Sequence, residues 1–127
     1  MTTRDSPSES PQPGQQGWAD AALSAELETI AAASESASVE FKVAMPDHGG
    51  KLAKEMAAFA TSGTGRIFIG IDDDGTIVGL PDARSSDGRV TLRNRIEGLA
   101  ATVKPVIHPA VRFAATGTGD NLRVVAV

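Results

Sequence analysis

Apolar and polar positions alternate along this chain with two different periods. "WADAALSAELETIAAAS" sets Leu23, Leu27 and Ile30 at steps of four and three, which predicts a helix, with Asp20 placed to cap a later start. "SVEFKVA" switches to a period of two and predicts a strand at about 38–44. "KLAKEMAAFATSG" puts Leu52, Met56 and Phe59 on one face of a short helix, with Lys51, Lys54 and Glu55 away from it and Gly63 closing it. "RIFIGID" is apolar almost throughout, as a central strand would be. "DDDG" reads as a tight turn and "TIVGL" as the returning strand, so 66–80 is expected to be a hairpin.

Further on, "RVTLRNRIEGLAATV" places Val90, Leu92, Ile96, Leu99 and Val103 near helical spacing, with its arginines on the other side. Gly98 weakens that helix modestly. "KPVIHP" is an extended connection, and "AVRFAA" and "NLRVVAV" form a second hairpin across "TGTGD". The order is helix, strand, helix, hairpin, helix, hairpin. It predicts an α+β fold: a mixed, mainly antiparallel sheet of about five strands with helices packed on it.

Residues 1–17 hold Pro, Ser, Gln and Gly with no apolar period, so they are expected to be a disordered tail ahead of one domain over 18–127. The apolar end "VVAV" leaves two expectations. Either a native continuation is missing, or this strand docks in the sheet interior.

Composition narrows the partners. Only four Phe and one Trp are available, so the core is built mainly from Ile, Val, Leu and Ala. The chain has no cysteine, which excludes disulfides and thiolate metal sites. No apolar run approaches the roughly 18 residues of a membrane span, and the N-terminus lacks the apolar region of a secretory signal. The expected location is the cytoplasm, without a membrane partner. The net charge of −4 argues against a strong overall nucleic-acid footprint, but the charge is uneven. Residues 1–40 set one basic residue against seven acidic ones, whereas residues 84–123 set seven basic against three acidic. The second stretch could carry a basic patch, but on charge alone a solvated arginine-rich helix face is the favoured reading.

Candidate chemistry begins at Glu40 and Lys42, which strand alternation places on the face opposite Val39 and Phe41. Such a pair suits phosphodiester chemistry, the carboxylate holding a divalent metal and the lysine steadying charge. Taken alone, it more often is a solvent-facing ion pair on a strand, which contributes little. Glu35 lies five residues before Glu40, so it joins that face only if the chain bends between them; otherwise it is a glutamate near a helix end. Asp72, Asp73 and Asp74 follow the apolar strand, and three adjacent carboxylates would benefit from a cation. Turn chemistry alone accounts for Asp74-Gly75, whereas Asp72 continues the strand and could share a hard-metal site with Glu40. No phosphate-loop motif occurs, so no nucleotide cofactor is expected. His48 and His108 stand alone beside Pro or Gly, as loop residues do.

Together, Glu35, "VEFK", "AFAT", "GTGRIFIGIDDDGTIVGL" and "KPVIHP" resemble, in that order, the Schlafen AlbA-type domain over about 35–127. Two positions depart from the family pattern: Thr61 stands where it has Asn, and Thr64 at the first of its paired glycines, where a positive φ would be strained. The resemblance implies an α+β fold with nucleic acid, DNA or RNA, as partner, in a binding and regulatory role. The expected contacts are Lys42, Arg66, Arg84, Arg89, Arg93 and Arg95. For the nucleases of the family it implies RNA cleavage by a Mg²⁺ or Mn²⁺ site on Glu35, Glu40 and Asp72, with Lys42 beside them. A third reading is an inactive fragment that assembles with a partner. A homo-oligomer is compatible with each.

Overall fold

The protein is described by a computed structural model over residues 17–127. The expected disordered tail lies outside these residues, Gly17 apart. The elements in chain order are α1 (Ala21–Ala32), β1 (Val39–Lys42), α2 (Gly50–Ser62), β2 (Arg66–Ile69), α3 (Ser86–Ala100), β3 (Phe113–Thr116) and β4 (Arg123–Ala126). The fold is α+β, with three helices on a mixed four-stranded sheet ordered β1-β2-β4-β3.

Local chemistry explains most boundaries. Asp20 caps α1, its carboxylate accepting the Leu23 N–H at 2.9 Å. Gly63 ends α2 at φ 104°, and its N–H donates to the Phe59 carbonyl. Gly63 thus carries the positive φ of that turn, and Thr64 does not have to. Ser85 caps α3 by accepting the Gly88 N–H, so this helix starts a few residues earlier than its apolar stripe suggests.

β1 and β2 run parallel, Glu40 opposite Ile67 and Lys42 opposite Ile69, with α2 as the crossover between them. The other two pairs are antiparallel. β4 sits inside the sheet, one of the two arrangements expected for "VVAV".

The expected return strand 76–80 does not form. It makes one isolated bridge, Ile71 with Ile77, and then leaves β2. Its cause lies at two glycines. Gly70 has φ 120°, and the N–H groups of Gly70 and Ile71 both point at the Lys42 carbonyl, a local bulge. Gly79 has φ 81° and passes so close to β4 that a Cβ would lie 3.0 Å from that of Arg123. The segment then hands its next N–H, from Leu80, to Val124 of β4.

Alternation divides the sheet's side chains between two cores. Phe41, Phe68, Ala114 and Val125 face α1, where Leu23, Leu27 and Ala31 cover them. Ile69, Phe113, Ala115, Val124 and Ala126 face α2 and α3, against Leu52, Met56, Leu92, Ile96 and Ala100. The sheet's two outer edges are capped. At β3, the Phe113 carbonyl accepts the Asp20 N–H and the Ala115 N–H donates to the buried Ser24 hydroxyl. At β1, Ser36 and Val39 exchange backbone hydrogen bonds.

Candidate functional site

The chain turns sharply after α1, with Ser34 at φ 71°. Residues 35–38 then fold back along β1, supplying the bend that Glu35 needs to approach Glu40. The Glu35 carboxylate accepts the Phe41 N–H at 2.8 Å, on the outer edge of the strand. Glu35 therefore has a structural task as well, since it satisfies a donor that an edge strand would otherwise expose.

On the α2-facing side of β1, Lys42 lies between two carboxylates. Its ammonium donates to Glu55 Oε2 at 2.9 Å and stands 3.7 Å from Glu40 Oε2. The Lys42 and Glu55 side chains are 17% and 21% exposed, so this ion pair is largely shielded from water. The second oxygen of Glu55 is buried with no hydrogen-bond partner among the described residues. Burial pulls the Lys42 ammonium toward losing its proton, but the hydrogen bond and charge of Glu55, with Glu40 and Glu35, outweigh it and hold its pKa above the usual value. Glu40 is raised above the ordinary carboxylate value by burial, then by the hydrogen bond and charge of Glu35 and the charge of Glu55, with Lys42 acting against them.

Glu55 is the residue that sequence reasoning missed, having been placed away from the apolar face of its helix. It stands three residues after Leu52 and four before Phe59, on the flank of the apolar stripe. A charged residue at that flank was the available signal.

Asp72 is placed differently. Glu40 pairs with Ile67, and Asp72 comes five residues later, beyond the end of β2 and the Gly70 bulge. It organises its own turn: its side chain accepts the Asp73 N–H at 2.7 Å and its carbonyl accepts the Gly75 N–H. The neighbouring Asp74 accepts from Thr76, and that hydrogen bonding lowers its pKa. Among the described residues, no three His, Asp or Glu side chains gather so as to hold a metal ion. The structure thus brings Glu35, Glu40 and Lys42 together with Glu55 and does not assemble the expected Glu35–Glu40–Asp72 set.

The arginines divide into two groups. Arg89 and Arg93 are half-buried, and both tie α3 to the rest of the domain. Arg89 stacks 3.9 Å over the Trp18 ring and donates to the Ala83 carbonyl, and burial lowers its pKa. Arg93 donates to the Val111 carbonyl at 3.1 Å and lies over Phe113. They are not on the solvent side where the helical pattern puts them. Their long stems cross apolar surface while the charged heads find carbonyls. Arg95 donates to the Pro46 and Asp47 carbonyls and pins the loop after β1. Arg84 is exposed and reaches the Gly119 carbonyl. Arg66 is exposed, lies 5.5 Å over Phe68 and joins no ion pair among the described residues.

A parallel β1–β2 pair carrying "VEFK", with α2 supplying the counter-charge, places the motifs of one domain class at a single corner of the sheet. The chain belongs to the Schlafen, AlbA_2 family, whose model matches residues 35–127. No curated protein and no solved structure matches the chain. In the described residues, no helix is long and apolar enough to cross a membrane.

Proposed function

We propose that this protein binds nucleic acid, DNA or RNA, as a regulatory module. The observation that carries the reading is its membership of the Schlafen, AlbA_2 family over residues 35–127. The local electrostatics refine it. Glu40 and Glu55 flank one ammonium at the β1–α2 corner, with Glu35 beside Glu40, so negative charge is in excess there and the corner by itself repels a phosphate. Contact with the backbone of a nucleic acid therefore falls to exposed cations outside it, foremost Arg66 and Arg84, with Lys51 and Lys54 on α2. Arg89 and Arg93 contribute by holding α3 rather than by touching the ligand. The test is to incubate the purified protein with transfer RNA and with duplex DNA, with and without Mg²⁺ or Mn²⁺, beside a Glu40→Ala control. Binding in both proteins without cleavage is the expected result. Absence of binding at low salt refutes the reading.

Metal-dependent RNA cleavage through Glu35, Glu40 and Asp72 is the second reading. One observation favours it: burial first, and then the adjoining Glu35 carboxylate, raise Glu40's pKa, and a divalent cation would offset both. The carboxylates do not fit a three-ligand ion as they stand, because Asp72 is spent on its own turn and Lys42 fills the space between Glu40 and Glu55. Metal-dependent cleavage lost in Glu40→Ala would establish this second reading.

A further inference from the structure

Trp18 lies ahead of the stretch that matches the family model, and it is the chain's only tryptophan. Its indole packs against the core beneath α2 and α3 and stays half-buried. The Arg89 guanidinium stacks over the ring at 3.9 Å. Beside the indole opens a cavity of about 300 Å³, with Trp18, Asp20, Arg93, Arg112 and Phe113 on its walls. That volume is at the lower end of the range for small-ligand sites. Arg89 is not on the cavity wall, so the indole meets the cavity on a side that Arg89 leaves open.

Charge in this cavity is uneven. Arg93 and Arg112 set two guanidinium groups against the single carboxylate of Asp20. That carboxylate is already committed: Oδ1 accepts the Leu23 N–H, and Oδ2 lies 3.3 Å from Arg112. Arg93 is held on the Val111 carbonyl. Arg112 is the freer of the two. Its side chain is 61% exposed, so its ion pair with Asp20 contributes little. A guanidinium carries five N–H donors, and the hydrogen bond to Asp20 uses one of them. One positive charge is thus left over for an anion, beside an aromatic ring backed by a cation.

We propose that this cavity seats one unpaired nucleobase of a single strand, the base stacking on Trp18 and its neighbouring phosphodiester taking the Arg112 guanidinium. The inference rests on the nucleic-acid reading above and narrows it to single-stranded DNA or RNA. A paired base in a duplex is held in its stack and would have to be flipped out first. A lone phosphate would use Arg112 and leave the indole idle. An acyl chain would set its methylenes against two guanidinium groups and desolvate them without a partner. Arg89 backs the ring and Arg93 closes the wall, and each keeps the contacts with which it ties α3.

The test titrates the whole chain with a short single-stranded oligonucleotide carrying a terminal dye, and then with the same strand annealed to its complement. Trp18 fluorescence reports the cavity, since no other tryptophan contributes, and dye anisotropy reports binding anywhere. The single strand is expected to quench Trp18 and to bind about tenfold more tightly than the duplex, which leaves the fluorescence unchanged. Arg112→Ala is expected to weaken single-strand binding by about fivefold, with duplex binding and melting temperature unchanged. Trp18→Ala is expected to bring the single strand down to the affinity of the duplex. Because the indole also packs on the core, Arg112→Ala carries the test if Trp18→Ala does not fold. Anisotropy that shows binding while Trp18 fluorescence stays constant would remove the base site and leave the nucleic-acid reading standing. Equal affinities for single strand and duplex would do the same. Quenching by a phosphotyrosine peptide at lower concentration than by the oligonucleotide would make a modified protein the occupant and overturn the proposal. Binding of neither strand nor duplex would refute the reading on which the site rests, and the site with it.

Discussion

The two faces of β1 use the same strand for opposite ends. Toward α1, Phe41 is fully buried and meets Phe68 edge-to-face, with centroids 6.2 Å apart and planes at 87°. Toward α2, Glu40 and Lys42 build a charged cluster whose one buried, unpartnered oxygen belongs to Glu55. The first face is fixed by area and shape alone. The second is fixed by charges that are only partly compensated. A period of two delivers a core residue and a site residue from consecutive positions, so the packing of Phe41 positions the chemistry beside it.

That contrast orders the expected effects. Phe68→Ala removes the ring beneath Phe41 and is expected to cost about 3–5 kcal/mol, read by denaturant unfolding. A loss below about 1 kcal/mol would show that the α1 face is not the main source of stability. Lys42→Met leaves Glu55 and Glu40 facing each other without their cation. Breaking a buried pair costs about 3–5 kcal/mol, and partial exposure brings the expectation here down to about 1–2. The double variant Lys42→Met, Glu55→Leu is expected to recover most of this loss, because it removes the stranded carboxylate as well. No recovery would mean that the pair is not the source.

The arginines sharpen the comparison further. Arg93→Ala is expected to destabilise the domain by about 1 kcal/mol, since it orphans the Val111 carbonyl. Arg66→Ala is expected to change stability by less than about 0.5 kcal/mol. Its effect belongs in nucleic-acid binding, where it lowers the salt slope by about 1. Equal stability losses in the two variants would erase the distinction between tying and binding arginines.

The smallest effect is a pH dependence. Glu40's pKa is raised in the fold, so the fold favours its protonated form. Its contribution is full below the ordinary value of 4.5 and is lost as pH rises through the higher folded value. Glu40→Gln removes this titration. The stability difference between variant and parent is therefore expected to move in the variant's favour across that window. A difference independent of pH would contradict the account of Glu40. Lys42 has the same sign at far higher pH: its contribution is full below 10.5 and is lost as pH rises through its raised value, outside that window.

Much of the fold was legible because it depends on local chemistry. Asp20 and Gly63 end their helices by capping rules that need no tertiary information. The alternation of "VEFK" assigns Phe41 to a core and Glu40 and Lys42 to the other face. What escaped depends on contacts distant in sequence. "TIVGL" has the composition of a strand, but Gly70 and Gly79 take positive φ and close contacts with β4 that its own residues do not announce. Glu55 looks like a solvent-facing helix residue until Lys42, thirteen positions earlier, comes under it. Arg89 and Arg93 look like a basic face until Trp18 and Phe113 come beneath them. Charge in a sequence counts ions, whereas packing decides which remain free to meet a partner.

The most direct test of the central claim is the salt dependence of binding to transfer RNA and duplex DNA. The account predicts that the logarithm of the binding constant falls linearly with the logarithm of salt concentration, with a shallower slope in Arg66→Ala. No binding at low salt, or binding indifferent to salt and to Arg66, would contradict it.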